Sequence, residues 1–177
     1  TAIRRQRQMC IRDRLKIIKS KRPKAIILEN VRGLTSHDKG NTWNIIQEEL
    51  KKAKYDIHFK VIDAVHWVPQ HRRRIFIVGF DKKQFDTKKL DFFSFPIEQT
   101  GENKIKNILQ KRVEEKYTLK DGTWNSLQTI KERNRSLPKD MKKGFGYSIV
   151  DRNGPSRTLT KRYFKDGAEI LIEQKDK

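Results

Sequence analysis

The sequence predicts an α/β fold containing roughly half of a doubly wound sheet, and three observations carry this. Two short continuous apolar runs, Ala25–Leu28 and Ile75–Val78, have the length and composition of strands. Between them lies a stretch in which Trp43, Ile46, Leu50 and Ala53 recur at helical spacing. A hydrophobic content of 34% over 177 residues, below the roughly 45–50% of ordinary soluble domains, supports one modest core and no second full one.

Taken in order, Leu15 to Lys21 reads as the end of a helix closed by Pro23. Ala25–Leu28 follows as a strand, and its unbroken apolar character is that of a strand buried on both faces in a parallel sheet. Asn41 is placed to cap a helix running to about Lys54, which would cross back over the sheet. Ile57, Phe59 and Val61 alternate as in a strand, and Ile75–Val78 is a second short buried one. Beyond Phe80 the composition changes. Asp81 to Lys142 is lysine-rich with scattered aromatics (Phe92, Phe93, Phe95, Tyr117, Trp124) and no sustained period, the pattern of an irregular second region. No Gly-rich phosphate or cofactor loop precedes any of these strands.

Composition narrows the function classes. Forty-two Lys and Arg against 22 Asp and Glu leave a net charge of +20 and a pI near 10.2, which points to a polyanionic partner, most simply nucleic acid. The apolar runs fall far short of the ~20 residues of a membrane helix, and the expected location is cytoplasmic. One cysteine, Cys10, makes neither an internal disulfide nor a Cys-rich zinc site, and no metal is expected. Residues 1–14 hold five arginines and one aspartate. They resemble a translated sequencing-adaptor remnant, or else form a basic arm. Removing them leaves +16 on the other 163 residues, so the basic character does not depend on them.

Three clusters are candidates for chemistry. Open α/β sheets bind ligands at the carboxyl ends of their strands, which singles out Glu29-Asn30-Val31 after the first apolar run. A carboxylate leaving a buried strand is partly desolvated, which raises its pKa and suits it to share a proton; a Glu capping the next turn reads the same. In Pro69-Gln70-His71-Arg72-Arg73-Arg74, extended alternation puts Gln70, Arg72 and Arg74 on one side and His71 and Arg73 on the other. Two guanidiniums on one side suit a phosphate or a base carbonyl, and a solvated charged edge is the plain alternative. Arg157-Thr158-Leu159-Thr160, followed by the segment from Arg162 to Ile172, mixes cations, hydroxyls and aromatics as phosphate and base contacts do. Surface strands do so too.

Together, in this order, the segments KRPKAIILENVRG (21–33), SHDKG (36–40), PQHRRRIFIVGF (69–80), GFGY (144–147) and RTLTKRYFKDGAEILI (157–172) resemble the DNA (cytosine-5)-methyltransferases, especially their Dcm-like bacterial branch. The resemblance implies part of an S-adenosylmethionine-dependent, Rossmann-like sheet in residues 15–80 and part of an irregular target-recognition region in 81–177. It also implies that S-adenosylmethionine is the cofactor, double-stranded DNA the substrate, and the full-length enzyme a monomer serving restriction-modification or stand-alone methylation. In the family a cysteine thiolate adds to C6 of a flipped-out cytosine, C5 takes the methyl group and then loses its proton. By motif, Glu29 would serve N3, Arg74 would bind O2, and Arg72 would support the flipped nucleotide and its phosphates. Gln70 would contact the adjoining backbone, with Arg157, Thr158, Leu159 and Arg162 on the DNA-reading side. Asn30 would fix the loop, and Arg73, facing away, should matter much less.

The departures from the family pattern are specific. The family nucleophile lies in a Pro-Cys-Gln loop well upstream of Glu-Asn-Val, whereas Cys10 stands between Met9 and Ile11, 19 residues before Glu29. Cys10 is therefore not expected to be the nucleophile. The Gly-rich cofactor loop is also missing, so no residue is assigned to the cofactor, and the chain is expected to be an internal piece that is inactive by itself. A split or degenerate DNA-binding subunit is the alternative. A basic RNA-binding protein is a third, but charge alone does not require the spacing of Glu29, Gln70, Arg72 and Arg74.

Overall fold

The computed structural model describes residues 13–86, 93–99, 101, 103–138, 140–141, 146–159 and 170–174. Its contacts divide the chain into two compact units, residues 1–63 with 73–97, and 64–72 with 98–177.

In the first unit, helix α1 (13–21) leads into β1 (Ala25–Val31), helix α2 (Asn41–Lys52), β2 (Tyr55–Asp63) and β3 (Arg73–Asp81). The sheet order is β1-β3-β2, with β3 antiparallel to both neighbours. β1 and β2 thus run in the same direction, joined through α2 as the crossover reading expects. The expectation of parallel neighbours fails, however, because β3 is inserted between them. β3 is the central strand, and Ile75 and Ile77 are buried to 0% and 2% exposure. β1 pairs with β3 alone among the described strands, which makes it an edge strand, and one of its faces is open: Ile26 is buried while Ile27 is 74% exposed. A continuous apolar run does not distinguish a central strand from an edge strand with one covered face.

The helices cover one face of this sheet. Leu15 and Ile18 of α1 and Trp43, Ile46 and Leu50 of α2, with Ala53 just beyond it, pack on Ile26, Tyr55, Ile75 and Ile77, each large side chain contributing about 1.5–3 kcal/mol of burial. Lys19 of α1 reaches Glu49 of α2 at 2.8 Å. β3 lies so close to β1 that a Cβ on Gly79 would stand 2.8 Å from Ile26 Cγ1, which accounts for a glycine in the middle of a buried strand. On the opposite face Phe80 stacks edge-on against His58, Phe85 and Phe93, which keeps residues up to 97 with this unit.

Two local readings are corrected. The cap of α2 is Gly40, at φ +90°, and Asn41 is already helical; the chain turns into the helix through positive φ at Asp38, Lys39 and Gly40 in succession. His37 Nδ1 meets Thr42 Oγ1 at 2.7 Å across that turn. Glu29-Asn30-Val31 lies within β1 instead of following it.

The end of the sheet remote from Glu29 is closed by a buried carboxylate. Asp81, 0% exposed, accepts hydrogen bonds from Arg22 Nη2 at 2.7 Å, Gln84 Nε2 at 2.8 Å and the Lys83 N–H at 3.0 Å. Burial pushes its pKa up, but the hydrogen bonds from Gln84, Lys83 and Arg22 outweigh burial and hold it below the usual carboxylate value. A depressed pKa contributes stability that is fully present above the unfolded value of about 3.9 and is lost as pH falls through the folded one. Asp81→Asn is expected to lower the thermal midpoint at pH 7 by roughly 5 °C or more. That deficit should shrink below about pH 4; a pH-independent gap in scanning calorimetry would contradict the assignment.

The second unit contains helix α3 (Asp121–Ser136) and the two-stranded parallel pair β4 (Ser148–Ile149) and β5 (Ile170–Leu171). A 16-residue helix corrects the reading of 81–142 as wholly irregular. Its buried stripe holds little more than Leu127 and half-buried Trp124, while exposed Lys131 lays its ammonium 4.2 Å over the Tyr147 ring. A stripe this short carries no apolar period. The segment 64–72 joins this unit through Asn103 Nδ2, which donates to the Val65 carbonyl at 2.8 Å, and through the bonds to Ser156 described below.

Candidate functional site

In the first unit the site is built from Glu29 and Arg74. The register pairs Glu29 with Phe76 and Val31 with Arg74, so the two side chains stand diagonally on the same face of adjacent strands, the one the helices leave open. Arg74 Nε meets Glu29 Oε1 at 2.8 Å, with Arg74 18% and Glu29 49% exposed. The desolvation expected for Glu29 is therefore not met: it sits on an edge strand, half open to solvent. Arg74 is fixed a second time, by donation from Nη1 to the Arg73 carbonyl at 2.8 Å. Asn30 Oδ1 accepts from the Val31 N–H at 2.8 Å, a purely local bond. Arg73 does face the other way, and its Nε donates to Asp63 Oδ2 at 2.9 Å.

In the second unit the structure brings Gln70 and Arg157-Thr158 to one short parallel ladder. Gln70 bridges Ser156. The Ser156 N–H donates to the Pro69 carbonyl at 2.9 Å, and the His71 N–H to the Ser156 carbonyl at 2.8 Å. Thr158 Oγ1 then donates to the His71 carbonyl at 2.5 Å, so its hydroxyl serves the ladder. Arg157 Nη2 donates to the Gly146 carbonyl at 2.8 Å, and Leu159 is 49% exposed. The Arg72 carbonyl accepts from the Ala64 N–H at 3.2 Å. Cys10 and Arg162 lie outside the described residues. The boundary between the units falls between Arg72 and Arg73, so the sequence-predicted set is distributed as Glu29 and Arg74 in one unit and Gln70, Arg72, Arg157, Thr158 and Leu159 in the other.

Sequence reasoning missed Asp63 and Ser156. Asp63 carries a weak signal, an acidic residue closing an alternating strand, but its register opposite Arg73 is set by chain pairing. Ser156 acts through its backbone and carries none.

A cavity beside Glu29 is lined mainly by Leu15, Ile18, Leu28, Leu34, Ile46 and Leu50 and holds about 30 Å³. That is room for about one water, well below the ~300 Å³ at which ligand pockets begin. With its aliphatic lining it does not fit S-adenosylmethionine. Among the described residues no helix is long and apolar enough to cross a membrane.

The first unit is a mixed α/β layer with a small three-stranded sheet, and solved methyltransferases share the fold. The crystal structure of the Dnmt2 methyltransferase of S. pombe superposes with a TM-score of 0.57 at 15% identity, over 88% of this chain and 44% of that one. The Entamoeba histolytica methyltransferase EhMeth gives 0.53 at 23% identity, over 85% and 40%. The family of C-5 cytosine-specific DNA methylases matches residues 1–177, and the chain belongs to that family. It is 42% identical to the type II methyltransferase M.SsoII of Shigella sonnei, over 92% of this chain and 42% of the relative. Identity is 46% to M.DsaV of Dactylococcopsis salina, over 92% and 45%, and 37% to the DNA-cytosine methyltransferase of Escherichia coli K12, over 92% and 36%. The chain spans less than half the length of these relatives.

Proposed function

We propose that this chain forms the central part of an enzyme that transfers a methyl group from S-adenosylmethionine to C5 of a cytosine flipped out of duplex DNA. The observation that carries the reading is the Glu29–Arg74 pair at 2.8 Å on the open face of the sheet. Addition of a nucleophile at C6 of cytosine moves electron density onto N3 and O2, so both positions need a proton or a hydrogen bond as the charge develops. Glu29 supplies the carboxyl group at N3. Arg74 has five donors in a planar fork; Nε and one Nη1 hydrogen are engaged by Glu29 and the Arg73 carbonyl, and the remaining edge is directed to O2. Holding both groups in place before the base arrives removes the cost of orienting them in the transition state.

Residues 15–80 supply the catalytic side of the enzyme and 81–177 the target-recognition side. Within the first stretch Arg72 bears on the flipped nucleotide and its phosphates and Gln70 on the adjoining backbone; from the second, Arg157, Thr158, Leu159 and Arg162 contact the nucleic acid. The thiolate and the cofactor pocket are assigned to other parts of the enzyme, because neither the Pro-Cys-Gln loop nor the Gly-rich loop of the family occurs in this sequence.

The test is a joined enzyme in which residues 15–177 replace the matching part of an M.SsoII-like relative. With methyl-labelled S-adenosylmethionine it should form 5-methylcytosine in mixed-sequence duplex, whereas the 177-residue chain alone, and its Cys10→Ser variant, should transfer nothing. A folded joined enzyme that binds DNA without methylating it would favour the DNA-binding-subunit reading; transfer by the chain alone would overturn the assignment of the nucleophile.

A further inference from the structure

Arg73 faces away from Glu29, yet the structure ties it into the same site from behind. Asp63 and Arg73 are register partners at the ends of β2 and β3. Their side chains meet at 2.9 Å, with Asp63 only 12% exposed. The Arg73 carbonyl in turn accepts the Arg74 Nη1 hydrogen at 2.8 Å. One backbone unit therefore connects two ion pairs on opposite faces of the sheet: Asp63 on β2 holds Arg73, and the Arg73 carbonyl holds the guanidinium that meets Glu29 on β1. The place matters, because the paired ladder begins here. Arg73 is the first residue of β3, and a strand end held by main-chain bonds from one side only is where a peptide plane is freest to turn.

An exposed ion pair adds little to stability, about 0–1 kcal/mol. Asp63 is mostly buried, however, and an arginine–carboxylate contact fixes direction as well as distance. We propose that the Asp63–Arg73 pair is a positioning device for Arg74: it fixes the peptide plane whose carbonyl orients the Arg74 guanidinium. Its catalytic consequence rests on the reading of Arg74 as the partner of cytosine O2.

The first test uses the 177-residue chain and nitrogen-15 NMR of the Arg74 Nε–H. Arg73→Ala and Asp63→Ala should speed its exchange with water by about 10-fold, while Arg73→Lys, which keeps a cation for Asp63, should retain most of the protection. The second uses the joined enzyme. There Arg73→Ala should lower kcat by about 10-fold at unchanged KM for S-adenosylmethionine, and Arg73→Ala with Arg74→Ala should be no worse than Arg74→Ala alone. Unchanged Arg74 exchange in both Ala variants, or additive losses in the double variant, would overturn the positioning role. If Arg73→Ala deprotects Arg74 while Arg74→Ala leaves turnover normal, the positioning stands and the O2 assignment falls instead.

Discussion

In the joined enzyme, Glu29→Gln and Arg74→Ala are each expected to lower turnover by roughly 10²-fold or more, the range for general-acid and oxyanion-type groups. Glutamine keeps the size and the hydrogen-bonding reach of Glu29 but has no carboxyl proton to share with N3. Alanine at 74 removes the donor for O2 and leaves the developing negative charge without its nearest cation. Magnitudes separate this reading from a purely structural one. A half-exposed ion pair contributes about 0–1 kcal/mol to stability, whereas a 10²-fold rate loss is about 2.7 kcal/mol in the transition state. Both variants should therefore melt close to the parent while losing turnover, as single-turnover transfer of labelled methyl groups beside a thermal melt would show. Near-normal turnover in Glu29→Gln, or equal damage from Arg73→Ala and Arg74→Ala, would remove the pair from the chemistry.

The affinity of the 177-residue chain for duplex DNA is expected to fall by about 10³-fold between 50 and 200 mM salt, as for a protein neutralising some six phosphates. The charge of +20 is the driving force, and Lys111, Arg112, Lys120, Arg133 and Arg135 of the second unit are exposed. Each counterion released from the duplex steepens the dependence of the binding constant on salt. Fluorescence anisotropy with a labelled duplex across that range provides the measurement, and a flat profile would mean that phosphate contacts do not drive binding.

What the sequence made legible follows from how local each signal is. The helical stripe Trp43, Ile46, Leu50 and Ala53 is buried throughout, because a 3.6-residue period is a property of one segment. The alternation that separates Arg73 from Arg74 held for the same reason, since both lie in one strand. The neighbours of β1 were not legible: its apolar run is compatible with a central parallel strand, and only the insertion of β3 makes it an antiparallel edge. Glu29 accordingly lies in a more open setting than a buried strand end would give it. Asp63 opposite Arg73, and Ser156 beside Gln70, are pairings between segments distant in sequence, and no local pattern announces them. Helix α3 escaped because its covered face holds little more than Leu127 and half-buried Trp124, too few positions to set up an apolar period.

The strand order also governs how this polypeptide acquires its structure. β1 and β2 emerge first during synthesis, and among the described strands each pairs with β3 and not with the other; β3 is made last of the three. The β2–β3 ladder can start once Arg73 stands opposite Asp63, ten residues earlier in the chain, but docking β1 on β3 joins positions 43 to 55 residues apart, the high-contact-order step that slows folding. Until then the apolar side chains of β1 and β2 wait uncovered, the condition under which nascent chains depend on chaperones. Synthesis arrested before β3 should yield an aggregation-prone product, whereas release a few residues after Asp81 gives the first length at which all three strands can lock together.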